Sequence, residues 1–218
     1  MYLSRFQLNP AREGTRRLLG SPQRMHAAVM AAYPAGVDVR PLWRLDSPSR
    51  HEYTLYIVGA ARPDLTHLVE QAGWPTTATW DTTTYGEFLG RLQAEQTWRF
   101  RLTANPVRVI PAGEGERGKV VPCSTEADQQ QWLRDKSARW GFTLAGSPNG
   151  VRVTGRVRDE FNRREVDGSA RRRVTISRAR FDGVLTVTDP EALRAAMTGG
   201  MGRAKAYGCG LMTLARPR

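Results

Sequence analysis

The stretch Tyr2-Leu3-Ser4-Arg5-Phe6-Gln7-Leu8 sets the frame of the fold. Tyr2, Phe6 and Leu8 fall on one face, with Arg5 and Gln7 on the other, the period-two pattern of a half-buried strand. A basic connection runs from residue 9 to 20. Ser21-Pro22 then predicts a helix start, because a serine N-cap accepts an orphan amide and proline fits the first turn. Met25, Ala28, Val29 and Ala32 form the apolar stripe of that helix, and Tyr33-Pro34 ends it. Strands are expected over 39–45 and 52–58, the second with Tyr53, Leu55 and Ile57 in alternation. Pro63-Asp64 opens a short helix carrying Leu65, Leu68 and Val69, which Gly73 closes. Strand, helix, strand, strand, helix lacks one strand of a ferredoxin-like βαββαβ unit; the polar residues 76–84 either supply it or merely connect.

The order then repeats. Trp98, Phe100 and Leu102 alternate with Arg99 and Arg101 in a strand running towards Val109, and a Gly/Glu loop spans 112–119. Thr125 with Asp128 suits a capped helix through Trp132, Leu133 and Lys136 to Trp140, with Gly141 past its end. Strand candidates cover 151–157 and 173–176, joined by a charged segment, and 183–188 reads as extended. Asp189-Pro190-Glu191 starts a helix through Leu193 and Met197, and 207–214 closes the sheet. The expected fold class is α+β: two tandem ferredoxin-like (βαββαβ) domains, residues 1–92 and 93–218.

Charge is the unusual part of the composition. Thirty-three Lys+Arg against twenty-one Asp+Glu leave a net charge of +12, and only Lys119, Lys136 and Lys205 are lysines. A GC-rich genome explains arginine over lysine, but not an excess of twelve charges; that points to a polyanionic partner. Ten arginines against four acids lie within 151–181, among them Arg152, Arg156, Arg158, Arg171, Arg172 and Arg173. Alternation with Val153 and Val157 would put Arg152, Arg156 and Arg158 along one strand face, and Arg171-Arg172-Arg173 at or near a loop. The plain alternative is a basic loop attracted to any polyanion.

Cys123 and Cys209 are too few for a disulfide framework, and no secretory signal or transmembrane run appears, so a cytoplasmic, reducing setting without membrane association is expected. Three histidines and two cysteines show no zinc spacing, and the acids are scattered rather than clustered for metal-assisted hydrolysis. No Gly-x-Ser-x-Gly elbow occurs. No metal or other cofactor is expected.

Near the carboxyl end lies Gly199-Gly200-Met201-Gly202-Arg203-Ala204-Lys205-Ala206-Tyr207-Gly208-Cys209-Gly210-Leu211. It lacks the strand before and the Lys-Ser/Thr of a nucleotide P-loop. Two readings stand: a phosphate-holding concavity of exposed amides with Arg203 and Lys205 adding charge, or a glycine-rich turn with two solvated cations.

This stretch resembles the C-terminal glycine-rich loop of the repeat-associated CRISPR proteins, most of all the CasE-type endoribonuclease of the type I-E system. Met1-Tyr2-Leu3-Ser4-Arg5 is similar to that family's opening strand, and Ser21-Pro22-Gln23-Arg24-Met25-His26 to its active-site helix. Phe100-Arg101-Leu102-Thr103-Ala104-Asn105-Pro106 and Phe181-Asp182-Gly183-Val184-Leu185 match in family order as well. The resemblance implies tandem ferredoxin-like domains, the first with the catalytic helix and the second with a basic hairpin segment that reads an RNA stem. It implies cleavage of CRISPR repeat hairpins in precursor CRISPR RNA, retention of the product guide RNA, and association with other subunits of the type I-E interference (Cascade) complex.

The resemblance places the catalytic histidine at His26. On residues alone, His26 is either a histidine at a core boundary or a general acid or base; His51 and His67 carry no further catalytic cue. RNA brings its own nucleophile, so 2′-hydroxyl attack with one imidazole, leaving a 2′,3′-cyclic phosphate, needs no metal. Arg24 and Lys205 are the expected electrostatic partners, and Arg156, Arg158, Arg171, Arg172, Arg173 and Arg203 the expected RNA contacts. Gln23 stands where the family often has a tyrosine, and an amide cannot exchange a proton as a phenol does. That departure favours the alternative of a non-catalytic RNA-binding subunit of the same complex.

Overall fold

A computed structural model describes residues 1–34, 36, 40–113, 116, 118–144, 150–164 and 171–217, with backbone alone for 162–164, 171 and 172. The chain divides into two compact units: Met1–Leu92 with Arg194–Met201 and Lys205–Leu211, and Gln93–Leu193 with Gly202–Ala204 and Met212–Arg218.

In the first unit the strands are β1 (Tyr2–Leu8), β2 (Leu42–Ser49), β3 (Glu52–Gly59) and β4 (Trp80–Thr84). The helices are α1 (Glu13–Leu19), α2 (Pro22–Met30), α3 (Thr66–Ala72) and α4 (Tyr85–Gly90). The sheet order is β2-β3-β1-β4, every neighbour antiparallel, which is the ferredoxin-like arrangement. Phe6, opposite both Leu55 and Trp80, anchors a core with Leu8, Met25, Val29, Trp43 and Leu68. The polar stretch at 76–84 does supply the fourth strand. Two short helices escape the sequence reading: α1 inside the basic connection, and α4. Seven- and six-residue helices offer too few turns to show a periodicity.

The second unit builds β5 (Thr97–Ala104), β6 (Val107–Ile110), β7 (Lys119–Pro122), α5 (Glu126–Ser137), β8 (Phe142–Leu144), β9 (Val151–Arg164), β10 (Arg171–Val187), α6 (Pro190–Gly199) and β11 (Met212–Ala215). Its sheet order is β11-β5-β10-β8, with β8 and β9 lying in succession along one edge of β10. The same ferredoxin-like order recurs, with β8 and β9 together in the place of its second strand. Thr125 Oγ1 accepts the Asp128 amide at 3.0 Å, and Gly141, at φ 78°, ends the turn after α5 as expected. Trp132 of α5 stacks on Phe181 with centroids 6.1 Å apart.

Three expectations need correction. The strand through 98–109 is broken at Asn105-Pro106 into β5 and a separate β6–β7 hairpin. Residues 173–176 and 183–188 belong to one strand of 17 residues. From Arg171 to Arg178 it pairs with β9 alone, as a two-stranded ribbon. Among its described residues only Ile176 is buried, too little apolar alternation to mark a strand in the sequence. The last strand starts at Met212, because residues 205–207 form a single 3-10 turn.

Candidate functional site

His26 is the fifth residue of α2, whose start is fixed by Pro22 and by Ser21 Oγ accepting the Arg24 amide at 3.4 Å. Its ring is half-buried, and Nδ1, shielded from solvent, makes no hydrogen bond among the described residues. Burial lowers its pKa from 6.5. The imidazole is therefore neutral at pH 7 and competent to take a proton. The other histidines fall away on geometry. His67 donates Nε2–H to the Ala28 carbonyl at 2.9 Å and so ties α3 to α2. His51 sits exposed in the β2–β3 turn, with Arg50 Nε 3.2 Å from its Nε2.

The glycine-rich stretch returns to this helix. Its 3-10 turn, Lys205–Tyr207, packs against α2 and β2. Gly208, at φ 78°, lies so near Trp43 that a Cβ would come within 2.6 Å of the ring, so only glycine fits. The Met201 amide donates to the Gly210 carbonyl at 2.9 Å, closing the loop upon itself. Lys205 is exposed, and its ammonium donates to the Gly199 carbonyl at the C-terminal end of α6, a favourable place for a cation. Arg203 is exposed and makes no ion pair among the described residues.

One residue the sequence reading passed over anchors this loop. Arg44 is buried; Nε and Nη2 donate to the two Asp46 carboxylate oxygens at 2.8 and 3.0 Å, and Nη1 donates to the Leu211 carbonyl at 3.2 Å. Its guanidinium also lies 5.1 Å from the Tyr56 ring centroid. The available signal was Arg-x-Asp in a strand, two residues on the same face.

Arg24 is not beside His26. Two positions apart on a helix means about 200° of rotation, and Arg24 faces a groove of α1, α2 and α3 lined by Arg17, Ala28 and His67.

In the second unit the arginine run forms the β9–β10 ribbon. Its register shifts where Gly155 faces Arg180 and Val153 faces Phe181, leaving Thr154 as an extra, bulged residue. The bulge overturns the expectation of one arginine face. Arg156 and Arg158 stand opposite Ala179 and Ser177, whereas Arg152 stands opposite Asp182, on the other side of the sheet. Arg156 donates to the Ser124 carbonyl, and Arg158 and Arg173 share Glu160. The Arg173 hydrogen bond holds the Glu160 carboxyl below its usual range. Arg178 pairs with Asp159 at 2.6 Å. Arg171 and Arg172 open β10, opposite Arg164 and Arg163; their side chains lie outside the described residues.

The structure thus brings α2 with His26 and the Lys205 turn together, and gathers Arg156, Arg158 and Arg173 on one ribbon face. Among the described residues no group of His, Cys, Asp or Glu is arranged to hold a metal ion, and no helix is long and apolar enough to cross a membrane.

Fold and site define a class: tandem ferredoxin-like units carrying a basic ribbon suited to a polyanion. The chain belongs to the CRISPR associated protein family, whose model matches residues 1–216. It is 32% identical over 225 residues to the CRISPR-associated endoribonuclease Cse3 of Thermus thermophilus, covering 99% of this chain and 100% of that protein. It is 30% identical over 189 residues to the CRISPR system Cascade subunit CasE of Escherichia coli K12, covering 80% of this chain and 88% of the relative. A solved structure of CRISPR endoribonuclease Cse3 bound to 19 nt RNA matches with a TM-score of 0.80 and 30% identity, over 99% of this chain and 100% of that one. The CasE-type resemblance read from the ordered sequence patches holds over the full length.

Proposed function

We propose that this protein is a metal-independent endoribonuclease that cleaves the repeat hairpins of precursor CRISPR RNA and stays bound to the product. The observation that carries the reading is His26: a neutral, half-buried imidazole near the start of α2, with the glycine-rich turn packed on the same helix, in a chain whose 32%-identical relative is an endoribonuclease. In the proposed step the imidazole takes the proton of a ribose 2′-hydroxyl as its oxygen attacks the adjacent phosphorus. The bond from phosphorus to the 5′-oxygen breaks in line, that oxygen takes a proton from water, and a 2′,3′-cyclic phosphate and a 5′-hydroxyl result. A positioned base of this kind contributes about 10²- to 10⁴-fold.

Labour divides between two domains: residues 1–92 carry the catalytic helix, and residues 93–218 carry the basic ribbon with Arg156, Arg158, Arg171, Arg172 and Arg173. In the glycine-rich stretch, Lys205 swings from the Gly199 carbonyl to the scissile phosphate and Arg203 adds a second phosphate contact. Arg24, turned from His26, contacts RNA backbone rather than the reacting phosphorus. The protein works in the cytoplasm with other subunits of the type I-E Cascade complex. This assignment draws on its likeness to a named Cascade subunit. Gln23 favours one second reading, a non-catalytic RNA-binding subunit.

Incubation with the host repeat hairpin in EDTA separates the two. Product ending in a cyclic phosphate is expected, and a single 2′-deoxy substitution at the cut site abolishes it. Bound but intact RNA would establish the second reading, and cleavage of the 2′-deoxy substrate would remove the proposed nucleophile.

A further inference from the structure

Among the described residues, the ribbon arginines Arg156, Arg158, Arg173 and Arg178 each hold a partner within the protein. On the sheet face opposite α5, Arg101, Asp182 and Arg152 form one row across β5, β10 and β9, and Arg99 stands two residues along β5, opposite Val184. Arg101 Nε donates to Asp182 Oδ1 at 2.6 Å, and Thr154 Oγ1 donates to Oδ2 at 2.5 Å. Burial raises the Asp182 carboxyl, but these hydrogen bonds and the nearby guanidinium charges outweigh it and hold its pKa below the usual range. Asp182 thus already accepts from Arg101 and Thr154, with Arg180 Nε 3.9 Å from Oδ2. Arg152, its direct neighbour across the strands, receives nothing from it. Arg152 and Arg99 are both exposed and form no ion pair or side-chain hydrogen bond among the described residues. They line one concave patch floored by Gly150 and Gly183. A side chain at Gly183 would come within 2.5 Å of the Gly150 carbonyl. The Thr154 bulge is what delivers Arg152 here, away from Arg156 and Arg158.

We propose that this face of the second sheet is an RNA-backbone site in which Arg99 and Arg152 each hold a phosphodiester, with Asp182 keeping Arg101 flat between them. The inference rests on the RNA-binding reading above. A guanidinium paired with a carboxylate must give up that partner to bind phosphate, while a solvated, unpaired one need not; Arg99 and Arg152 are therefore readier for phosphate than the paired Arg158, Arg173 and Arg178. The strands β9 and β10 that carry Arg152 and Asp182 continue into the ribbon, so RNA held by the ribbon has a charged continuation along the same strands.

The test compares the wild type with the R99Q/R152Q double variant, both full length, by binding to the repeat stem-loop alone and to the stem-loop with its single-stranded flanks, across a salt series. Two lost phosphate contacts lower the slope of log affinity against log salt by about 1.8 for duplex contacts or about 1.4 for single-stranded ones. A change seen with both RNAs places the stem on this face; a change seen only with the flanked RNA places the flank there. The rate of cleavage at saturating RNA and the melting temperature stay at wild-type values. An unchanged slope with both RNAs overturns the proposal, and if that variant also fails to co-purify with other complex subunits, the face belongs to an acidic protein surface instead. A lower slope with a slower saturated rate overturns it as well, assigning the arginines to the reaction. A wild type that binds neither RNA overturns this proposal and the ribonuclease reading together, whereas a wild type that binds and cuts isolates the failure to this site.

Discussion

In the first unit Arg44 is buried against Asp46 and the Leu211 carbonyl, while in the second Arg158 and Arg173 share Glu160 on an exposed ribbon. Both are arginine–carboxylate arrangements, yet their physics differs. A buried pair is costly to desolvate and still more costly to break, so it fixes backbone in one place. An exposed pair contributes little to stability and exchanges readily for another anion. The first unit thus uses charge to hold the glycine-rich loop in position near the helix of His26, and the second holds its ribbon charge in exposed pairs that a phosphate has to displace. On this contrast, changes in the first unit alter rate and stability, and changes in the second alter RNA affinity.

The largest effect is expected at His26. His26→Ala lowers the single-turnover cleavage rate by about 10²- to 10⁴-fold, with hairpin affinity within about twofold of wild type, since a neutral side chain adds little to an interface dominated by phosphate contacts. Parallel loss of rate and affinity, measured by gel cleavage and filter binding, would return His26 to the role of a core-boundary residue. Next comes Arg44→Met. Removing one partner leaves Asp46 buried without its cation and frees the Leu211 carbonyl, costing about 3–5 kcal/mol. Urea melts read that number directly, and the Asp46→Asn, Arg44→Met double variant recovers part of it.

How much of this was legible beforehand follows the same division. The βαββαβ order of the first unit was readable because strands such as β1 and β3 each bury one face, and Ser21-Pro22 and Gly73 mark helix ends with local chemistry. The second unit hid its long strand, since Arg171–Val187 starts in an arginine-rich ribbon, where Ile176 alone of the described residues is buried, and only from Ala179 enters the sheet. The bulge at Thr154 was invisible: one extra residue reverses the side on which every later side chain falls, and no composition marks it. His26 was found through the family's helix motif, not by periodicity. Arg44 was missed because an arginine in a strand is ordinarily solvated, and its burial depends on Leu211, far away in sequence. Lys205 stands out in the sequence by its charge, but its contact with the end of α6 depends on the folded loop.

A more moderate effect is expected from pH. Burial depresses the His26 pKa, so the folded protein favours the neutral ring. With His26 as base, the cleavage rate is flat above pH 6.5 and falls about tenfold per unit below the depressed pKa. The same shift has a stability sign: the unfolded chain takes up the proton more readily, so this contribution is present above pH 6.5 and is lost as pH falls through the folded value. A rate that instead rises on acidification would make His26 the proton donor to the 5′-oxygen, and the pH–rate profile of single-turnover cleavage decides between them.

The smallest effect probes the ribbon from the opposite direction. Glu160 accepts from both Arg158 and Arg173, and these hydrogen bonds and charges hold its carboxyl below the usual range. Glu160→Gln removes the negative charge and releases both guanidinium groups towards a ligand. If exposed pairs matter for binding rather than folding, the melting temperature stays within about 2 °C of wild type. Hairpin affinity then rises by about two- to threefold at low salt and converges with wild type as salt screens the added charge. The sign is the informative part. A fall in affinity would mean that Glu160 arranges its two arginines for RNA, and the ribbon would then resemble Arg44 and Asp46 in using a carboxylate to position a cation.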